Sequence, residues 1–478
     1  MKSTAAIESR VTNRVRKLND APFREKADYV LYWAQMNRRA HGNHALDYAV
    51  ELANERDLPV LFYEGLTCTY KNANDRLHTF ILEGVADTQA AVAARGIGYA
   101  FYLRRGRADR NTTVYDLAAQ AAAVVTDDYP TFIAATHNAR VPEKMDVAYF
   151  AVDSSCIVPM NHFTKREYAA YTIRPKIQKV LREHLHPAPE LKPKRAWKAR
   201  TPAFHVNVIK SNVAELVASC EIDHSVKPSS SFHGGSARAQ ELLTGFLETR
   251  LQRYAKERNE PSRHATSHMS PYLHFGQISA LQIALQATEY AKQHHLVADE
   301  FLEELIVRRE LAFNFARFAS NMEGFDDLPD WAKKTMAAHA GDVRDPLYTA
   351  EEMESARTYD ALWNATQKEL LLRGKIHGYY RMYWGKKMIE WSRTYQDALD
   401  LMIRLHDRYA LDGRDPNTYT NILWCFGLHD RPWFDRPIFG VMRYMSFEGM
   451  KRKTDIGAYI EEIAELDRTE KDPARVTQ

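Results

Sequence analysis

Cysteine is scarce in this 478-residue chain: Cys68, Cys156, Cys220 and Cys425 are widely separated and form no CxxC pair. That spacing excludes a disulfide framework and a zinc knuckle, and it suits a reducing compartment. No apolar run approaches the roughly 18 residues a membrane span requires. The start, Met1-Lys2-Ser3-Thr4, carries no apolar signal core. A cytoplasmic protein without a membrane partner is therefore expected. Charge of one sign is scarce too, since 65 Lys+Arg stand against 62 Asp+Glu for a net +3. Nucleic-acid contact would need a local basic patch and not a global field. The dinucleotide fingerprint GxGxxG does not follow the first strand pattern, and no internal repeat or low-complexity segment stands out.

The residues that are present have the balance of a soluble globular protein, 45% hydrophobic and 27% charged. The length points to two large domains. Up to about residue 160, strand and helix patterns alternate. Strands are expected at 28–34, 58–65, 98–105, 122–127 and 147–153, with helices at 44–55, 75–94 and 114–122. Such alternation implies a parallel sheet with right-handed crossovers, which binds ligands beyond the strand carboxyl ends. Residues 1–25 read as a loose basic arm with a helical turn. Residues 186–235 are rich in Pro, Ser, Gly and Lys and read as a surface connection. From 236 onward helix follows helix. The expected architecture is an α/β domain at 1–185, a linker at 186–235 and an all-helical domain at 236–478.

The richest stretch is WNATQKELLLRGKIHGYYRMYWGKKMIEWS, which begins at Trp363 and holds three of the 8 Trp. Trp384 and Trp391 are seven residues apart, so they share a helix face about 10 Å apart along the axis. Tryptophans so spaced either pack a core or pass an electron from a buried redox group to the surface. Downstream, Asp412-Gly-Arg-Asp415-Pro-Asn417 is a turn with two carboxylates, suited to a helix cap or to a polar heterocycle and ribose hydroxyls. In SHMSPYLHFGQIS (267–279), hydroxyls and turn amides could cradle phosphate oxygens or cap a helix. In EELIVRRE (303–310), Glu304 and Arg308 have i,i+4 spacing, the usual sign of a surface ion pair. HDRPW (429–433), Arg443 and GMKRK (449–453) form a basic, aromatic-containing region, either a solvated face or a grip on phosphates and bases.

Together, REYAAYTIRPKI (166–177), SPYLHFGQIS (270–279), FLEELIVRREL (301–311), the tryptophan stretch (362–392), LDGRDPN (411–417) and HDRPW (429–433) resemble class II cyclobutane-pyrimidine-dimer photolyases of the photolyase/cryptochrome superfamily. The resemblance implies FAD in the helical domain. Tyr254, Ser267, Ser270 and Gln277 match positions around its phosphates and ribityl chain, and Arg381 and Asp412 match the ion pair beside its ring, with Asp415 in the same loop. Trp363, Trp384 and Trp391 match electron-transfer tryptophans. Glu304 matches the carboxyl that touches the flipped lesion, where burial would keep it protonated. Met382 and Trp424 match the lesion pocket, and Arg258, Arg431, Trp433 and Arg443 match groups that grip UV-damaged DNA. A second antenna chromophore, a deazaflavin or a folate, is plausible by resemblance. A monomer is expected.

Three positions depart from the family pattern. His406 stands where an Asn commonly faces flavin N5, and a histidine titrates near neutral pH and can exchange a proton there. Phe313 replaces a polar residue expected close to the active face. His268 replaces an Asn of the phosphate loop. At the N-terminus, Gln35-Met-Asn-Arg38 stands where the family commonly has Arg-Asp-Gln-Arg. Two functions follow: light-driven repair of dimers by electron transfer from excited reduced FAD, or a cryptochrome-like blue-light photoreceptor that keeps the same tryptophans.

Overall fold

The computed structural model describes residues 12–471. Six strands form one sheet in the order β1-β6-β5-β2-β3-β4. They are β1 (Val15–Lys17), β2 (Tyr29–Ala34), β3 (Val60–Thr67), β4 (Gly98–Arg104), β5 (Ala121–Asp127) and β6 (Tyr149–Val152). Strands β2 to β6 pair in parallel, and β1 pairs antiparallel with β6. Every residue of β2 and β5 is buried, as strands covered on both faces must be. The covering helices are locally specified. His44–Glu55, for example, starts where the Asn43 side chain accepts a hydrogen bond from the Leu46 amide.

Two local expectations are corrected here. Residues 12–17 are not a loose arm: a 3-10 turn over Thr12–Arg14 leads into β1 on the sheet edge; residues 1–11 lie outside the described part. Only three residues long, β1 has no readable period. The helix expected over 75–94 is two helices, Asp75–Glu83 and Val85–Ala94, meeting at Gly84. A Cβ on Gly84 would come within 2.6 Å of Gln277 Nε2, so the break admits a side chain from the helical part.

The helical remainder begins with Ser236–Thr249 and ends with Ile456–Lys471. One large core joins the sheet to its helices through residue 311 and includes Leu411; a second gathers around Trp363, Trp384 and Trp391. Buried polar contacts fasten sheet to helices. Arg39 donates to Gly276 O (3.0 Å) and Ser154 O (2.7 Å), and Arg76 donates to Leu371 O (2.6 Å) and Tyr409 O (3.0 Å). Gly276 has φ +65°, and a Cβ there would lie 2.0 Å from Met36 O, so this approach requires glycine. Among the described residues, no helix is long and apolar enough to cross a membrane.

Candidate functional site

The Gly378–Trp391 helix, capped by His377, carries Arg381, Trp384 and Trp391. Arg381 Nη2 reaches both carboxylate oxygens of Asp412 at 3.1 Å. Ser270 Oγ donates to Asp412 Oδ2 at 2.7 Å. Burial alone would raise the Asp412 pKa, but Arg381, Lys375 and the Ser270 hydroxyl hold it well below the usual carboxylate range. The turn holding Asp412 sits hard against the preceding Tyr395–Tyr409 helix, since a Cβ on Gly413 would lie 2.5 Å from His406 O. Arg414 donates to Asp407 O and Ala410 O and so satisfies the end of that helix.

His406 is fully buried, with its ring edge-on to Trp384 at 5.0 Å. Its Nδ1 lies 3.2 Å from Met402 O. A carbonyl only accepts, so Nδ1 carries the proton and Nε2 has a free lone pair. Burial, aided by Arg381, lowers the His406 pKa to about 3. Burial therefore favours the neutral imidazole over the proton exchange expected from the sequence. Its Nε2 has no hydrogen-bond partner among the described residues.

The three tryptophans form one continuous stack. Trp363 lies parallel to Trp384 at 6.4 Å and edge-on to Trp391 at 5.5 Å. Trp363 thus bridges the two indoles that its neighbouring helix presents. Trp363 Nε1 donates to Trp384 O, and Trp384 Nε1 donates to Gln367 Oε1. All three are buried. The chain starts beside His406 and the Arg381–Asp412 pair and leads away from them.

Beside this cluster opens a cavity of about 220 Å³, lined among others by His264, His268, Arg373, Lys375 and His377. Among the described residues, Arg381 Nε, His268 Nδ1 and His406 Nε2 are buried atoms without hydrogen-bond partners. The cavity carries Arg373 and Lys375 beside Glu369 and Glu462, and burial keeps the His268 and His377 rings neutral; with the unpaired polar atoms around the ion pair, this lining offers hydrogen-bond partners to a polar cofactor. Lys375 and His377, not singled out by the sequence reading, line this cavity from the turn between the two tryptophan-bearing helices; their signal was basic residues placed there. Ser267 is near the cavity loop, its Oγ 3.5 Å from Met269 N. Tyr254 packs on Phe246 and Phe301, one turn before Arg258.

Several sequence-based assignments move. Gln277, expected near the phosphates, accepts from Gly235 N (2.9 Å) and donates to Phe80 O (3.2 Å), so its amide locks helices to the sheet layer. Asp415 caps the Pro416–Trp424 helix and accepts from Tyr129 Oη at 2.6 Å. Both residues contact the sheet side, which local sequence cannot reveal. Phe313 is not on the active face either. It is fully buried against Tyr129, Met36, Cys156 and Met160, between sheet and helices.

Glu304 pairs with Arg258 at 2.6 Å, not with Arg308. The reason is the backbone: Glu303–Arg308 is a π-helical turn. Its i→i+5 geometry sets Glu303, not Glu304, beside Arg308 (3.4 Å), and Glu303 also holds Arg174 at 2.7 Å. Glu304 is not the buried carboxyl expected, since 38% of its side chain is exposed. Arg308 also lies over the Trp424 ring at 5.7 Å, and Met382 is half-buried against the tryptophan core. Farther along, Trp433 is held between Arg443 (4.4 Å) and Arg431 (5.1 Å), with Asp430 bonded to Arg443. This rim is exposed and cationic, apart from its carboxylate partners.

A second cavity, about 500 Å³, lies at the carboxyl ends of β2, β3 and β4, bordered by Trp33, Gln35, Tyr63, Arg104, His137 and Arg414. The Gln35-to-Arg38 string builds its wall. The amides of Gln35, Met36 and Asn37 all donate to Asp127 Oδ2, and Arg38 pairs with Glu64 at 2.6 Å.

A parallel-dominated sheet followed by a helical remainder is the fold that this chain shares with solved photolyase and cryptochrome structures. The DNA photolyase family model matches residues 30–194. The chain is 38% identical to a deoxyribodipyrimidine photo-lyase of Methanothermobacter thermautotrophicus, covering 95% of this chain and 98% of the relative. It is 35% identical to one from Arabidopsis thaliana, covering 98% and 95%. Among solved structures, a class III photolyase from Agrobacterium tumefaciens superposes with TM-score 0.67 at 16% identity, covering 92% of this chain and 86% of that one. A cryptochrome from Synechocystis gives 0.65 at 14% identity, covering 90% and 87%. The chain belongs to the DNA photolyase family.

Proposed function

We propose that this protein is a class II photolyase, repairing cyclobutane pyrimidine dimers in DNA by light-driven electron transfer from bound, reduced FAD. The observation that carries the reading is the buried tryptophan stack ending against His406 and the Arg381–Asp412 pair. The unpaired polar atoms beside that ion pair would be satisfied by a polar cofactor and are left costly by an empty core. The curated relatives named deoxyribodipyrimidine photo-lyase supply the reaction class.

FAD, when bound and reduced, supplies a light-excited electron donor. Arg381, Asp412 and Ser270 would hold the flavin end, and His268, Lys375 and His377 the diphosphate end. His406 keeps its Nε2 lone pair at any physiological pH, so it accepts a proton donor and repels another lone pair. Met382 and Trp424 would exclude water from the lesion, and Glu304 would hydrogen-bond it once Arg258 turns to a phosphate. Arg431, Trp433 and Arg443 would grip DNA from which the damaged pair is extruded, a step made cheaper by the poor stacking of the lesion. The cavity at the strand ends would take an antenna chromophore, a deazaflavin or a folate. The parts would divide at 1–185, 186–235 and 236–478, and the four free, buried cysteines suit the cytoplasm.

A photoreceptor is the second reading, and it rests on His406 alone, because Phe313 faces the sheet. The deciding experiment illuminates fully reduced protein with blue light on a dimer-containing oligonucleotide. Restored thymines are expected; intact dimers after illumination would leave the photoreceptor.

A further inference from the structure

The three tryptophans end without an outlet. Trp391 is fully buried, and its Nε1 has no hydrogen-bond partner among the described residues. Trp363 and Trp384 donate to amide or peptide oxygens, which are not bases. None of the three indoles therefore has a basic group to which an oxidised ring could give its proton. On another side of Trp391, Lys387 Nζ lies 5.5 Å over the ring, paired to Glu390 at 2.7 Å. A cation there disfavours a second positive charge on the indole.

Two tyrosines touch Trp391, Tyr348 at 5.4 Å and Tyr359 at 5.5 Å. They differ in access to water. Tyr359 is 63% exposed, while Tyr348 is only partly exposed and its Oη accepts from Tyr359 N at 2.9 Å. We infer that Tyr359 is the surface terminus of the tryptophan chain, the residue at which external thiol reductants recharge the photolyase. The inference rests on the reading of the tryptophans as an electron path.

The steps balance as follows. With oxidised FAD bound and excited, Trp384 would supply it with one electron, Trp363 would refill Trp384, and Trp391 would refill Trp363. Tyr359 then gives one electron to Trp391 and its phenolic proton to bulk water. A dissolved thiol returns a hydrogen atom to the phenoxyl oxygen and becomes a thiyl radical, two of which join as a disulfide. Each cycle leaves one electron on the cofactor and one proton in solution. Because the proton departs into water, the charge separation is not undone by simple return of the electron.

The test is freeze-trapped electron paramagnetic resonance and transient absorption on the FAD-loaded, full-length protein after a blue flash. A tyrosyl radical is expected in the parent protein and in Tyr348→Phe, and it is expected to be lost in Tyr359→Phe. Photoreduction by thiol should slow in Tyr359→Phe, which keeps the ring on Trp391 and so keeps the packing. A tyrosyl signal that survives in Tyr359→Phe, or that Tyr348→Phe abolishes, overturns the assignment. Trp384→Phe separates the two levels: if it blocks photoreduction while Tyr359→Phe changes nothing, only the terminus is wrong. If Trp384→Phe changes nothing, the electron path itself falls.

Discussion

Arg381–Asp412 and Arg258–Glu304 are both arginine–carboxylate pairs assigned to one site, yet they sit in opposite surroundings. The side chains of the first are 14% and 6% exposed, those of the second 26% and 38%. The inner pair is locked by Ser270 and by the turn at Gly413. The outer pair is shared with Glu300 and stands on a π-helical turn at the rim. A buried pair is costly to break because each charge is left without water, whereas an exposed pair exchanges partners cheaply. The inner pair thus suits a permanent resident such as a cofactor, and the outer pair suits a visitor such as a DNA phosphate.

The largest expected effect comes from breaking the inner pair. Asp412→Asn leaves Arg381 buried and uncompensated, and should cost about 3–5 kcal/mol of stability together with flavin retention. Urea unfolding and flavin absorbance after gel filtration check both; a loss under about 1 kcal/mol would make the two pairs alike. Next is Glu310, fully buried, with two backbone amides on one oxygen and none on the other. Burial pushes its pKa up to about 8 from 4.5. A raised acid pKa means that folded protein holds the proton longer than unfolded chain, so stability present below about pH 4.5 declines as pH rises through about 8. Glu310→Gln should flatten that decline in urea midpoints measured across the window, and an unchanged slope would place its cause elsewhere.

Smaller still is the outer pair. Arg258→Ala should change stability by no more than about 1 kcal/mol, while lowering the salt slope of damaged-DNA binding by about one. An equal slope would mean that Arg258 stays on Glu304 when DNA binds. The smallest effect is expected at His406. Its flavin spectra should not change from about pH 6 to 9, because a group with pKa about 3 stays neutral there. His406→Asn should shift which flavin redox state accumulates without creating a pH dependence; a titration near neutrality would show that the imidazole is solvated.

The legible parts of the sequence were those specified by near neighbours. Buried runs and helical spacing located β2 to β5 within a few residues, and the seven-residue step of Trp384 and Trp391 announced a shared helix face. The Arg381–Asp412 pairing was available only through family resemblance, and its geometry came from the turn packing on His406. What stayed hidden depends on distant partners or on irregular backbone. Phe313 stood out because it replaces a polar residue of the family string, but its side chain packs on Tyr129. Gln277 and Asp415 belong to motifs shared with cofactor loops, yet each is claimed by the sheet side. The Glu304–Arg308 pairing failed because sequence spacing assumes an α-helix and the chain makes a π turn.

The central claim is that Trp384, Trp363 and Trp391 form the path by which a bound flavin is photoreduced, with Tyr359 carrying it to the surface. It is tested most directly by blue-light photoreduction of the FAD-loaded protein in the presence of thiol, parent against Trp384→Phe. Reduction in the parent and none in the variant, with equal FAD content, is the predicted result. Equal photoreduction in both would contradict the account.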